Sequence, residues 1–250
     1  MRFDYVSVLA FVIAMAVPFA AHAQDAGEEI LAADNLYELH DYAGSVVLYE
    51  RAAVADSGGF EPFWKLGRSL NMIGEGAPKD SQLAIFEKAR EAELHALSLN
   101  DNSADAHFQL ARAVGKIALF KGVFNSIGLA KQVKREAERA IALDSLHDGA
   151  WHILGRWHRE VGKKPKIIRG PMGLGAANKR DAVAFMAKAI ALNAANINHR
   201  LEMGITYLEY DERERAMEQF QLCVTLPAER PLDNKYKEEA KKYLAEMAEK

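Results

Sequence analysis

The sequence predicts an all-α fold, a right-handed solenoid of about five lengthened helical hairpins closed by a C-terminal capping helix. Three observations carry this. Near-identical stretches recur as His95-Ala96-Leu97-Ser98-Leu99-Asn100, Arg139-Ala140-Ile141-Ala142-Leu143-Asp144 and Lys188-Ala189-Ile190-Ala191-Leu192-Asn193, and recurrence at fixed phase is the signature of a stacked helical array. Upstream of each lies a large residue, then an apolar and a small one: Phe63-Trp64-Lys65-Leu66-Gly67-Arg68, His107-Phe108-Gln109-Leu110-Ala111-Arg112 and Trp151-His152-Ile153-Leu154-Gly155-Arg156. Apolar positions fall at helical spacing throughout.

A fourth copy is the cleanest. Arg200-Leu201-Glu202-Met203-Gly204-Ile205-Thr206-Tyr207 continues into Ala216, Phe220, Cys223, Leu226 and Pro227 with the offsets of the tetratricopeptide repeat. In such a repeat two antiparallel helices pack closely. Gly67, Ala111, Gly155 and Gly204 are the small residues that permit the approach on the first helix, and Ala96, Ala140, Ala189 and Cys223 do so on the second. Cys223 is the sole cysteine, which excludes an internal disulfide, and its position reads as a buried core thiol.

Residues 1–23 read as a separate, cleaved element. Met1-Arg2 is basic, Val6 to Phe19 is an apolar run too short for a bilayer span, and Ala21-His22-Ala23 is an A-x-A cleavage signal. The expected location is periplasmic or secreted after cleavage near Ala23. Residues 24–250 are then one repeat domain. A first, degenerate hairpin runs from about Gly27 to Ala55 with its turn at His40-Asp41-Tyr42. It is followed by units at Phe60 to Leu99, Ser103 to Leu143, Asp148 to Leu192 and Asn196 to Leu226. A last helix, Asp233 to Lys250, carries Tyr236, Ala240, Tyr243, Leu244 and Met247 on one stripe and caps the array.

The units are longer than the standard repeat of about 34 residues. Phe63, His107 and Trp151 are 44 residues apart, and Trp151 to Arg200 spans 49. The excess must lengthen helices or enlarge turns. In the third unit it is the apolar stretch Ile117 to Leu129, and in the fourth it is Lys163 to Lys179, with Lys163, Lys164, Lys166 and Arg169 before Gly170-Pro171-Met172-Gly173-Leu174-Gly175.

Composition removes several functions. Half the 250 residues are hydrophobic, 27% are charged and the formal net charge is −3, without the basic surplus of a sequence-independent nucleic-acid binder. No catalytic motif stands out. The glycines at 170–175 follow no strand and open no nucleotide-binding unit, and His147, His152 and His158 lack metal-ligand spacing. A metal, a cofactor and an enzymatic activity are not expected.

The lengthened units, Leu154-Gly155-Arg156-Trp157 followed by a Gly/Pro-containing insertion, the Lys116-Ile117-Ala118-Leu119-Phe120-Lys121 segment and the Pro-terminated last unit resemble the regulator of microtubule dynamics family of tetratricopeptide-like proteins over Asn35 to Ala248. The resemblance implies a helical solenoid without catalysis. Eukaryotic members are linked to microtubules, organelle contacts and lipid binding, and an exported bacterial-type chain would not meet microtubules, so the resemblance transfers fold better than function.

The expected site is the concave face, lined by first helices. Arg68, Arg112 and Arg156 follow the small residue in three units, and Trp64, Phe108 and His152 stand four residues before them. Asn71 and Arg159 extend this ladder by one turn. Guanidinium groups fork onto carboxylates or phosphates and stack on rings, so the expected partner is an unidentified protein, an acidic peptide, a protein C-terminus or another anionic group. Two alternatives stay open. Each Arg could instead pair with an acidic residue of an adjacent helix, or the lengthened hairpins could enclose an apolar cavity for a lipid tail, with cations at its mouth.

Overall fold

The computed structural model describes residues 25–122 and 126–249. The signal-peptide reading of residues 1–23 lies outside these. Helix α1 (residues 25–38) and α2 (Tyr42–Ala55) form the first hairpin. His40 takes a left-handed conformation in the turn, φ 63°, and Asp41 caps α2 by accepting from the Gly44 N–H. Tyr49 donates to Asp34 at 2.6 Å, tying α2 to α1.

Four longer hairpins follow. They pair α3 (Phe60–Gly76) with α4 (Lys79–Leu99), and α5 (Ala104–Lys121) with α6 (Ile127–Leu143). Next, α7 (Asp148–Gly162) pairs with α9 (Lys179–Leu192), and α10 (Ile197–Leu208) with α11 (Arg213–Thr225). The three near-identical stretches are the last turns of α4, α6 and α9. Their Ala96, Ala140 and Ala189 are wholly buried, and the N–H groups of Asn100, Asp144 and Asn193 close the helices on the carbonyls of those alanines.

First helices α3, α5, α7 and α10 neighbour one another along the inner layer, while α4, α6, α9 and α11 stand behind them. The small residues set this spacing. A Cβ at Gly204 would come within 2.5 Å of the Phe220 ring, and one at Gly155 within 3.0 Å of the Met186 backbone nitrogen. Truncating Phe220, wholly buried, would cost about 3–5 kcal/mol. Cys223 is buried beside it, and burial pushes its thiol up to about 12, which makes it a core residue.

The extra length is accommodated in two ways. In the second and third units it becomes helix, with α3 to α6 running 17, 21, 18 and 17 residues. In the fourth unit it is a folded insertion between α7 and α9 containing α8 (Lys166–Arg169) and a π-turn, Gly170–Leu174. Gly173 there has φ 74°, a conformation glycine adopts without strain.

The last helix, α12 (Asp233–Ala248), packs Ala240, Met247, Tyr243 and Leu244 against α10 and α11 as the stripe predicts. It also reaches across the concave side. Tyr236 Oη donates to Glu75 Oε2 at 2.9 Å, and Lys235 Nζ donates to the Glu75 carbonyl at 2.7 Å, so the final helix touches the second hairpin.

Two buried carboxylates set pH dependence. Burial pushes the His107 imidazole down, but its 2.7 Å bond to Glu136 outweighs this and leaves it raised; Glu136 ends lowered by His107 and Arg135 against its own burial. The His contribution is present below its unfolded value of about 6.5 and is lost as pH rises through the folded value; the Glu contribution is lost as pH falls below about 4.5. His107→Gln should therefore lower Tm by roughly 5 °C or more near pH 6, with a smaller loss at pH 9, read by thermal melts.

Glu93 behaves oppositely. It is wholly buried against Gly67, neither carboxyl oxygen has a hydrogen-bond partner among the described residues, and burial with Asp105 raises it well above the ordinary range against the opposing Arg68. The folded state thus keeps a proton the unfolded chain releases, and stability falls as pH rises above about 4.5. Glu93→Gln should match the parent near pH 4.5 and melt several degrees higher by pH 8.

Candidate functional site

A cavity of about 560 Å³ opens on the concave side, bounded by α3, α5, α7, the start of α6, the insertion and the segment leading into α12. Ala118, Ile127, Ala130, Val133, Trp157, Met172 and Leu174 make one end apolar. The other end is polar, with Arg112, Lys116, His152, Arg156, Asn198 and His199. Arg230, Leu232, Asp233 and Tyr236 complete its lining from the C-terminal side.

Two buried carboxylates organise the cations. Glu75 accepts from Arg112 Nε at 2.9 Å and lies 3.3 Å from Lys116 Nζ. Burial pushes its carboxyl up, but Arg112, Lys116 and the Tyr236 hydroxyl outweigh that and hold it well below the usual range. Glu202 faces Arg156 at 3.2 Å and Arg159 at 2.7 Å, and these cations keep it ionised despite burial. Lys116 itself is pushed down, first by burial and then by the neighbouring Arg156 and Arg112, against the opposing Glu75.

His152 joins a short buried relay. Asp148 Oδ2 lies 2.8 Å from His199 Nε2, and His199 Nδ1 lies 2.8 Å from His152 Nδ1. Burial, then His199, drives the His152 imidazole well below its ordinary value, so it is neutral at pH 7.

The eight residues expected on the binding face divide. Phe108, Arg112, His152 and Arg156 line the cavity together. Trp64 and Arg68 belong to the N-terminal end instead, where the Arg68 guanidinium lies 3.6 Å from the Tyr37 ring centre and 5.0 Å from that of Trp64. Arg68 also bonds Tyr49 at 3.2 Å and faces Asp34 at 3.5 Å. The two placed as a one-turn extension of the ladder do not face a ligand. Asn71 is wholly buried, donating to the carbonyl and side chain of Gln109. Arg159 is 3% exposed and consumed by Glu202, Thr206 and Glu160. One further turn carries a side chain off the concave stripe and into the contact with the next hairpin.

Each ladder arginine has an acidic neighbour: Asp34, Glu75 and Glu202. Pairing and lining coexist for Arg112 and Arg156, whose side chains remain partly exposed at 18% and 24%. The sequence reading missed Glu75, Lys116, Glu202 and the His199–Asp148 pair. Lys116 was visible as the residue four after Arg112 on the same helical face. Glu75 was not, because its partners Tyr236 and Lys235 lie 161 and 160 positions away.

The chain matches the family model of regulator of microtubule dynamics protein 1-3 over residues 30–248. It is 24% identical over 249 residues to regulator of microtubule dynamics protein 1 of Bos taurus, covering 95% of this chain and 77% of that protein. A tetratricopeptide protein of Thermus thermophilus superposes with a TM-score of 0.62 at 16% identity, over 89% of this chain and 98% of that one. The PilF protein of Pseudomonas aeruginosa gives 0.54 at 12% identity, over 91% and 90% of the two chains. The structural likenesses establish a tetratricopeptide-like solenoid, and the match along nearly the whole chain makes it a member of the regulator of microtubule dynamics protein 1-3 family.

Proposed function

We propose that the chain is a non-catalytic binding scaffold, exported after cleavage near Ala23, that holds an anionic partner on its concave side. The observation that carries this is the two-ended cavity, apolar at Trp157 and Val133 and cationic at Arg112, Lys116 and Arg156. The buried Glu75 there is shared by two cations, Arg112 and Lys116, while Arg156 faces Glu202, whose other partner Arg159 is also held by Glu160. One carboxylate cannot neutralise two cations, so an incoming anion meets a favourable field in a partly desolvated site. A peptide or protein terminus with apolar side chains and a free carboxylate fits this pattern.

A second reading, a lipid or fatty acid as ligand, is favoured by one specific observation. The C-terminal segment adds Arg230, Leu232, Asp233 and Tyr236 to the lining, walling the cavity on more than the inner helices alone. A volume of about 560 Å³ lies in the range of small-molecule sites.

Native mass spectrometry of the protein purified gently from its own host separates the two, with a co-purifying phospholipid or fatty-acid mass supporting the lipid and a peptide mass the terminus. Two variants test the site itself. Gly115 lines the cavity and has room for a Cβ, whose nearest neighbour would be Val133 at 3.8 Å, so Gly115→Leu should obstruct the cavity and abolish binding of a dansyl-labelled fatty acid while melting as the parent does. Arg112→Ala/Arg156→Ala leaves each carboxylate one remaining cation and should weaken an acid-ended probe by about 10-fold or more. Unchanged affinity in both variants would sink the cavity as the binding site.

A further inference from the structure

The insertion between α7 and α9 presents two isoleucines to solvent in the middle of a basic stretch. Ile167 is 84% and Ile168 48% exposed, flanked by exposed Lys163, Lys164, Pro165 and Lys166. This is a built feature. Arg169 turns inward and donates from Nε to the Lys164 carbonyl at 2.9 Å and from Nη1 to the carbonyls of Leu174 and Gly175 at 3.1 and 3.0 Å. Leu174 and Ala177 are buried against Leu110, Val133 and Trp157. With its base fixed, the tip holds its aliphatic side chains outward rather than folding them in.

The charges around the tip are uneven. Lys163 is engaged by Glu160 and Glu209 at 3.0 and 2.9 Å, whereas Lys164 and Lys166 make no ion pair among the described residues. Lys131 extends along the open side of Gly173, its Cε 3.1 Å from where a Cβ would stand, and it too has no acidic partner among the described residues. Lys164 and Ile168, together with the 55% exposed Leu119, also line the cavity. Apolar tips and unpaired ammonium groups therefore share one edge of the molecule, at the cavity mouth.

We propose that this edge docks on the surface of an anionic lipid bilayer, with Ile167 and Ile168 entering the headgroup region and Lys131, Lys164 and Lys166 facing acidic lipid headgroups. Two aliphatic side chains are too small a patch for a stable protein partner, which needs about 800 Å² on each side. They suit shallow insertion, where apolar contact and attraction to anionic lipid add. The proposal rests on the exposed loop and does not require a lipid in the cavity.

Vesicle flotation tests it, using the protein as its host processes it. Binding is expected to phosphatidylcholine vesicles containing phosphatidylglycerol and not to phosphatidylcholine alone, and it should weaken with salt. Lys164→Glu/Lys166→Glu should reduce partitioning about 25-fold or more, at roughly fivefold per lysine, and Ile167→Asp/Ile168→Asp at least 10-fold. Both should melt as the parent does, since the altered side chains are exposed. Gly115→Leu should keep vesicle binding even where it loses the fatty-acid probe, so failure of the cavity and failure of the docking edge are told apart. No binding to the phosphatidylglycerol vesicles, or loss in the lysine variant with none in the isoleucine variant, overturns the proposal.

Discussion

Glu75 is the point on which the shape of the concave side depends. A carboxylate this buried is costly unless its charge is matched, and three hairpin residues cannot be rearranged independently once they share it. Arg112 and Lys116 of α5 and Tyr236 of α12 all converge on its two oxygens, and Lys235 takes its backbone carbonyl. A simple solenoid contacts only its neighbours along the chain. Here the last helix is joined to the second hairpin through Glu75, so a bridge crosses the concavity and walls one side of the space beneath. Glu202 performs the matching task two units later, joining α7 to α10 through Arg156 and Arg159.

The long repeats follow from the same requirement. Extra turns in α3 to α6 carry Glu75, Lys116 and the apolar residues 117–119 beyond the length of a standard hairpin, which is what gives the cavity its depth. In the fourth unit an equally long helix pair would fill that space. The chain instead folds over on Arg169, whose guanidinium satisfies three carbonyls that would otherwise be stranded near the interior. Trp157 then seals the apolar end, its indole donating to the Ala130 carbonyl at 2.7 Å.

Much of this was legible because repeat architecture is written in local spacing. The boundaries of the second to fourth hairpins follow from the small residues and the terminal Leu-Asn or Leu-Asp pairs, and the fifth closes at Leu226-Pro227; all these features act within one unit. The cavity residues Phe108, Arg112, His152 and Arg156 could be found for the same reason, since a helical face is a property of one helix. Asn71 and Arg159 misled because a position three residues on is turned about 60° around the helix from the stripe, and at that angle it meets the next hairpin. The roof was hidden because nothing in α12 distinguishes a tyrosine that caps a core from one that also reaches a carboxylate 161 positions away.

The two walls of the cavity are held by different forces. On the C-terminal side α12 is anchored by Ala240, Met247 and Tyr243, the last stacked on Phe220 at 4.9 Å, besides its polar contacts to Glu75. Lifting it would expose buried apolar surface and remove the Tyr236 hydrogen bond from Glu75. The insertion is held by hydrogen bonds from one arginine to its own loop and by Leu174 and Ala177 against the core. Those bonds are internal to the loop and keep its shape, while the two apolar residues fix its base to the core. The cavity's apolar end is thus built on the insertion's fixed base, and the exposed Leu119 and Ile168 carry that apolar lining out to the edge where Lys164 stands.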